Sequence, residues 1–241
     1  MKKDQKEFFD DLAAGDYAPL RSTGSFAVKR INKIVLDFVL GGVKTDARIL
    51  ELGCGKGPWT LLLLELGYKV TAVDFSPKSL KILEERARSF GFSDRLTTYE
   101  KDITKPLALS GFERVFCIDT LHHISNPAEV VLQMSRAVVT GGKVSVLEPN
   151  PFNLWWWIGA PLFDKYFDLS IESGMTKTSP QKLRGYFEKA DITKIEILPL
   201  ELFPMISPDR LPLIIKIENF LYRLPFVKNF SAINLCGGWK D

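Results

Sequence analysis

Two histidines stand side by side, His122 and His123, and they are the only ones in the chain. An imidazole exchanges a proton near neutral pH, so either ring could act as a base on a phenol, enol or amine, or simply hydrogen-bond beside a ligand. A second group carries no reactive side chain. Gly53, Gly55 and Gly57 follow the apolar run 48–52 at spacing G-x-G-x-G, with Glu51 just ahead of them. Glycine lacks a Cβ and tolerates positive φ, so a ligand can lie against bare backbone here. Asp74 closes the next apolar run, 69–74. It falls about twenty residues past the first glycine, where a carboxylate can bind a ribose diol.

These residues need a strand, a turn, a helix and a second strand to hold them. Residues 48–52 read as a strand buried on both faces, Pro58 suits a first helical position, residues 59–66 continue as helix and Gly67 stops it. The result is a βαβ unit with a crevice at its strand ends. A dinucleotide fold wants G-x-G-x-x-G, and counting from Gly53 its third glycine position is Pro58 instead. That register disfavours a nicotinamide-dependent oxidoreductase. The stretch resembles motif I of the class I S-adenosylmethionine (SAM) dependent methyltransferases, E/D-x-G-x-G-x-G. Leu121-His122-His123 similarly resembles the "LHH" signature of the methyltransferase type 11 enzymes, which are related to those of ubiquinone and menaquinone biosynthesis.

The resemblance covers residues 46–150 and implies specific roles. Glu51, Gly53, Gly55 and Gly57 would hold the methionine end of SAM, and Asp74 the ribose. Phe75, next to Asp74, is counted among the cofactor-binding residues. Asp102 with Ile103 would meet the adenine, and Asp119 would stand near the methionine or ribose. His123, ahead of His122, is the candidate for catalysis on family grounds. No metal is expected. The family usually shows R-V-L-K-P-G-G before its fifth strand, where this chain reads Arg136-Ala137-Val138-Val139-Thr140-Gly141-Gly142, a departure confined to a turn.

Composition sets bounds on function. The chain has 241 residues, 46% hydrophobic and 25% charged, with a net charge of +3. That describes an ordinary globular protein, and no Lys/Arg block points to nucleic acid. No run reaches the roughly 18 apolar residues that span a bilayer. The N-terminal residues lack the apolar stretch of a signal peptide. Cys54, Cys117 and Cys236 lack metal or redox spacing and read as buried thiols. The expectation is a cytoplasmic protein; no sequence feature sets an oligomeric state.

Along the chain, helices are expected at residues 4–14 and 25–40, with a loop between. Further helices are expected from Ser76-Pro77 to Gly91, from Asn126-Pro127 to Val138, at 179–190 and at 212–223. Strands are expected at 96–100, 114–118, 143–148 and 192–198, with a last, antiparallel strand at 231–240 at or near the sheet edge, as the family requires. The expected fold is therefore α/β: a Rossmann-like, seven-stranded, mostly parallel sheet with helices on both faces. One domain is expected, with a helical cap over residues 1–45 and substrate-covering insertions at 150–178 and 199–230. Residues 151–163 carry no charge. If they are helical, Trp155 and Trp157 point roughly 200° apart, so at least one tryptophan should meet ligand, partner, lipid or solvent. With the apolar helix at 212–223, this segment could enclose an apolar substrate, touch a membrane surface, or only cover the sheet. The expected activity is SAM-dependent methyl transfer to a small, apolar or lipid-like molecule at O, C or N. The rival from another class is a catalytically silent SAM-binding scaffold.

Overall fold

The computed structural model describes residues 26–163, 167–202, 211–224 and 226–241. The helix expected at 4–14, the loop after it and that part of the cap lie outside the described residues. The chain opens with α1 (Phe26–Leu40) and β1 (Arg48–Leu52), then α2 (Pro58–Glu65), β2 (Lys69–Asp74), α3 (Pro77–Ser89) and β3 (Leu96–Glu100). It continues with β4 (Phe112–Ile118), α4 (Pro127–Ala137), β5 (Val138–Pro149), α5 (Gly159–Phe163), α6 (Leu169–Glu172) and α7 (Pro180–Lys189). The last elements are β6 (Ile192–Leu200), α8 (Leu211–Leu221) and β7 (Ile233–Lys240).

The strands form one seven-stranded sheet in the order β3-β2-β1-β4-β5-β7-β6. β3, β2, β1, β4 and β5 are parallel, and β7 runs antiparallel between β5 and β6. The last strand is therefore one place in from the edge, which β6 occupies. Alternation along each strand fills two cores. Ile49 and Phe116 point to the layer built with Val35, Leu63 and Leu83. Leu50, Val115 and Cys117 point to the layer with Leu121, Met134 and Phe187. Both faces of the central strands are thus apolar, which is why they read as continuous hydrophobic runs.

Register brings the site together. Leu52 at the end of β1 lies level with Val73 of β2 and Cys117 of β4, and Ile118 pairs with Leu147 of β5. The carboxyl ends of four neighbouring strands therefore finish side by side, the position where open α/β sheets bind ligands. β4 starts at Phe112, earlier than expected, because Phe112 pairs with Val138. The register then jumps to Arg114 opposite Lys143, so the Thr140-Gly141-Gly142 turn bulges out within β5 instead of preceding it.

The aromatic segment is not one helix. Leu154–Trp156 forms a 3₁₀ turn and α5 begins at Gly159. All three tryptophans are half-buried; Trp156 Nε1 donates to the Ala232 carbonyl and Trp157 Nε1 to that of Pro151, each at 2.7 Å. Phe152, Leu154, Ile158, Pro161 and Leu162 are exposed. None of the described helices is long and apolar enough to cross a membrane. The three cysteines are free and buried.

Gly57 fixes the angle at which α2 leaves the turn. Its φ is +71°, and a Cβ there would sit 2.3 Å from Leu83 Cδ1 of α3. Gly57→Ala is expected to cost roughly 2–5 kcal/mol, combining left-handed strain with overpacking. Gly91→Ala, at φ +75° with no atom within 4 Å, should cost only the strain. Urea unfolding of both variants measures the difference, and equal losses would contradict the packing role.

Candidate active site

The glycine turn and the acid at the end of β2 meet directly. Gly53 and Cys54 donate their N–H groups to the Val73 carbonyl at 2.8 and 3.1 Å, stitching the turn to β2. Asp74 then receives the Gly55 N–H on Oδ2 at 2.8 Å and the Ser76 N–H on Oδ1 at 2.9 Å. One buried carboxylate thus ties the turn after β1 to the turn after β2. Ser76 continues the chain outward by capping α3, its hydroxyl accepting the Ser79 N–H at 3.1 Å. Glu51, also buried, accepts a hydrogen bond from the Thr60 hydroxyl in the first turn of α2. Among the described residues the space above Gly55 is open: a Cβ built there would meet none of their atoms within 4 Å. Bare backbone facing a gap, with a carboxylate at its edge, suits an adenosine-bearing ligand.

The second half of the site is the loop after β4. Asp119 adopts φ +49°, unusual for a residue with a side chain, while its N–H donates to the Leu147 carbonyl at 2.9 Å. Thr120 touches the glycine turn, its hydroxyl 3.4 Å from the Gly53 carbonyl. Leu121, His122 and His123 form a 3₁₀ turn. Glu148, fully buried near the end of β5, organises this loop. Its carboxylate accepts the N–H groups of Thr120, Leu121 and His122 at 3.1, 2.8 and 3.2 Å. It also lies 2.6 Å from His122 Nδ1. On the other side of the ring, His122 Nε2 lies 2.9 Å from Glu172 of α6. Lys177 secures the same segment by donating to the Ile124 carbonyl at 2.8 Å.

The two histidines are electrostatically opposite. Burial pushes the His122 pKa down, but the charges and hydrogen bonds of Glu148 and Glu172 outweigh it and hold the pKa at about 10. His122 is therefore an imidazolium donating from both nitrogens. His123 lies beside it, ring centroids 3.9 Å apart. Burial and that neighbouring cation push the His123 pKa down to about 4, leaving a neutral ring at physiological pH. The same cation keeps Glu172 ionised against its burial. Ligand-type atoms of His122, His123 and Glu172 lie within 4.8 Å of one another. Glu148 and Glu172 hold His122 between them as an ion-paired clasp.

The structure gathers Glu51, the three glycines, Asp74, Asp119, His122 and His123 at neighbouring strand ends. Asp102 follows β3; it is exposed and accepts from the Thr104 N–H at 2.9 Å and the Thr104 hydroxyl at 2.6 Å, which lowers its pKa. Ile103 beside it is buried, and Phe75 is exposed. Sequence reasoning missed three residues. Glu148 was visible as a strand-end acid, but nothing local showed that it holds a loop 26–28 residues away. Thr120 and Glu172 belong to no motif at all.

Because the chain has two histidines, NMR reads each ring separately. His122 should keep both ring protons at pH 8 and titrate near pH 10, while His123 stays neutral down to about pH 4. The raised His122 pKa means its stabilising contribution is complete below about pH 6.5 and is lost as pH rises toward about 10. Titration of His122 near 6.5 would show that the clasp is not formed.

A family profile described as a methyltransferase domain matches residues 50–146, spanning both the glycine turn and the histidine loop. The chain is 28% identical over 158 residues to the ubiquinone biosynthesis O-methyltransferase of Colwellia psychrerythraea, covering 60% of this chain and 63% of that protein. With the protein of that name from Alkalilimnicola ehrlichii it shares 33% identity over 171 residues, 67% of this chain and 68% of the relative. Other matched relatives are spanned over as little as 52% of their own length. Among solved structures, Haemonchus contortus phosphoethanolamine N-methyltransferase 2 in complex with S-adenosyl-L-methionine is similar in fold. The TM-score is 0.63 at 19% identity, covering 97% of this chain and 56% of that one. Sequence identity on that scale across two thirds of a relative, carried on this sheet order and this strand-end turn, shows that the chain belongs to the class I SAM-dependent methyltransferases.

Proposed function

We propose that this protein transfers a methyl group from SAM to a small, apolar or lipid-like acceptor, at an oxygen in the first instance. The observation that carries the reading is the open space over Gly55, bounded by Asp74 and joined through Thr120 to the histidine loop. In this reading Glu51 and the glycine turn face the methionine end of the cofactor. Asp74 serves the ribose, Phe75 lies beside it, and Asp102 with Ile103 meets the adenine. Asp119, held in its left-handed conformation, stands near the methionine or ribose in this reading. SAM, when bound, supplies a methyl already activated on a sulfonium. The chain then has mainly to align the acceptor in a dry pocket, worth roughly 7–11 kcal/mol.

A base adds less, about 10²–10⁴-fold. His122 already carries both ring protons, so His123 is the histidine able to take one. Its low pKa places its contribution at the bottom of that range. The acceptor class is supported by the relatives, which are named for ubiquinone biosynthesis and, in Bacillus cereus, as a demethylmenaquinone methyltransferase. Uncharged residues 151–163 and the apolar stretch from α8 onward would cover such a molecule, together with the helical cap before β1. Three buried free thiols suit a cytoplasmic setting.

The reading is tested by incubating the protein with labelled SAM and paired acceptors: water-soluble catechols and the same rings bearing an isoprenoid tail. Label should pass to the tailed rings in preference. His123→Ala should slow turnover roughly a hundred-fold without changing affinity for S-adenosylhomocysteine. Cofactor binding without transfer to any acceptor would favour the silent scaffold, and an unchanged rate in His123→Ala would make that ring structural.

A further inference from the structure

α8 carries an apolar stripe on its solvent-exposed side. Leu213, Ile217, Phe220 and Leu224 recur at helical spacing through α8 and the turn after it, forming a single stripe. That stripe faces outward, with Leu213 62% and Phe220 65% exposed. The inward side carries half-buried Ile214, Ile215 and Leu221 together with Glu218, only 4% exposed, whose carboxylate accepts the Leu202 N–H at 2.8 Å. α8 is therefore apolar on both sides, and its outward stripe exceeds what covering the sheet requires.

The stripe does not end with the helix. Phe226 and Phe230 are also exposed. Asn153 donates to the carbonyls of Leu202 and Phe230, at 3.1 and 2.7 Å, which sets Phe152 and Leu154 of the uncharged segment against the same region. The charges supply the second observation. Lys216, Arg223 and Lys228 are exposed among these apolar residues, and Glu218, turned inward, is the only acid between Leu211 and Phe230. Apolar side chains long enough to enter an acyl layer, flanked by cations and with no exposed acid between Leu211 and Phe230, match the surface of an anionic bilayer.

We propose that α8 and the adjoining aromatic segments form a membrane-docking face specific for anionic lipid. The proposal rests on the methyltransferase reading only for its purpose, the capture of a lipid-like acceptor. Docking is measured without methyl transfer, so the two can fail separately.

The experiment is co-sedimentation of the full chain with phosphatidylcholine vesicles, with and without phosphatidylglycerol. Binding is expected to the anionic vesicles and to weaken with added salt. Ile217→Ser/Phe220→Ser and Lys216→Glu/Arg223→Glu should each lower the partition coefficient by about ten-fold or more, with melting temperature and S-adenosylhomocysteine affinity unchanged. No binding to anionic vesicles, or binding that both double variants retain, would overturn the proposal. So would a dimer in sedimentation equilibrium that Phe220→Ser dissolves, since a second copy of the chain would then be what covers the stripe.

Discussion

A single carboxylate, that of Asp74, decides whether the crevice exists. Parallel pairing of β1 with β2 places the two following turns side by side, but nothing in the pairing itself stops them from collapsing or splaying. Asp74 does so by accepting one backbone N–H from each turn. Hydrogen bonds to a charged group are worth about 1.5–3 kcal/mol each, and here they are buried. They also fix the carboxylate between the two turns through backbone groups. The turn stays bare at Gly53, Gly55 and Gly57, and the acid at its edge is held by backbone.

The neighbouring half of the site uses the same device with larger stakes. Glu148 contributes a second buried carboxylate, again filled by backbone N–H groups, and it shapes the loop that carries Asp119 and His123. A buried charge of this kind is costly unless compensated. Compensation comes from His122 as a cation, and Glu172 on the far side completes the clasp. That chain of contacts joins the end of β5, the loop after β4 and the segment around α6. It also explains why two adjacent histidines behave oppositely: the first carries the positive charge, and that charge keeps the second neutral.

Most of the sheet was legible in the sequence because its signals are local. Apolar runs on doubly buried strands, Ser76 and the prolines that open helices, and glycines that close them all act within a few residues. The glycine turn and Asp74 were legible for the same reason. What escaped depends on register. Glu148 and Glu172 matter only because β4 and β5 pair as they do and because α6 returns to the strand ends. α8 was legible as an apolar helix, but its sequence does not say which side points outward. Burying Glu218 against the backbone of Leu202 settles that, and no pattern of hydrophobic spacing could have shown it.

The account stands or falls on whether the bare turn beside Asp74 is a SAM site. Calorimetric titration of the wild type and Asp74→Asn with S-adenosylhomocysteine and with NADH tests this most directly. The account predicts micromolar-range binding of S-adenosylhomocysteine by the wild type, a loss of at least roughly ten-fold in the variant from the weakened ribose and turn contacts, and no heat with NADH. Binding of NADH in place of S-adenosylhomocysteine, or equal affinity in the two proteins, would contradict it.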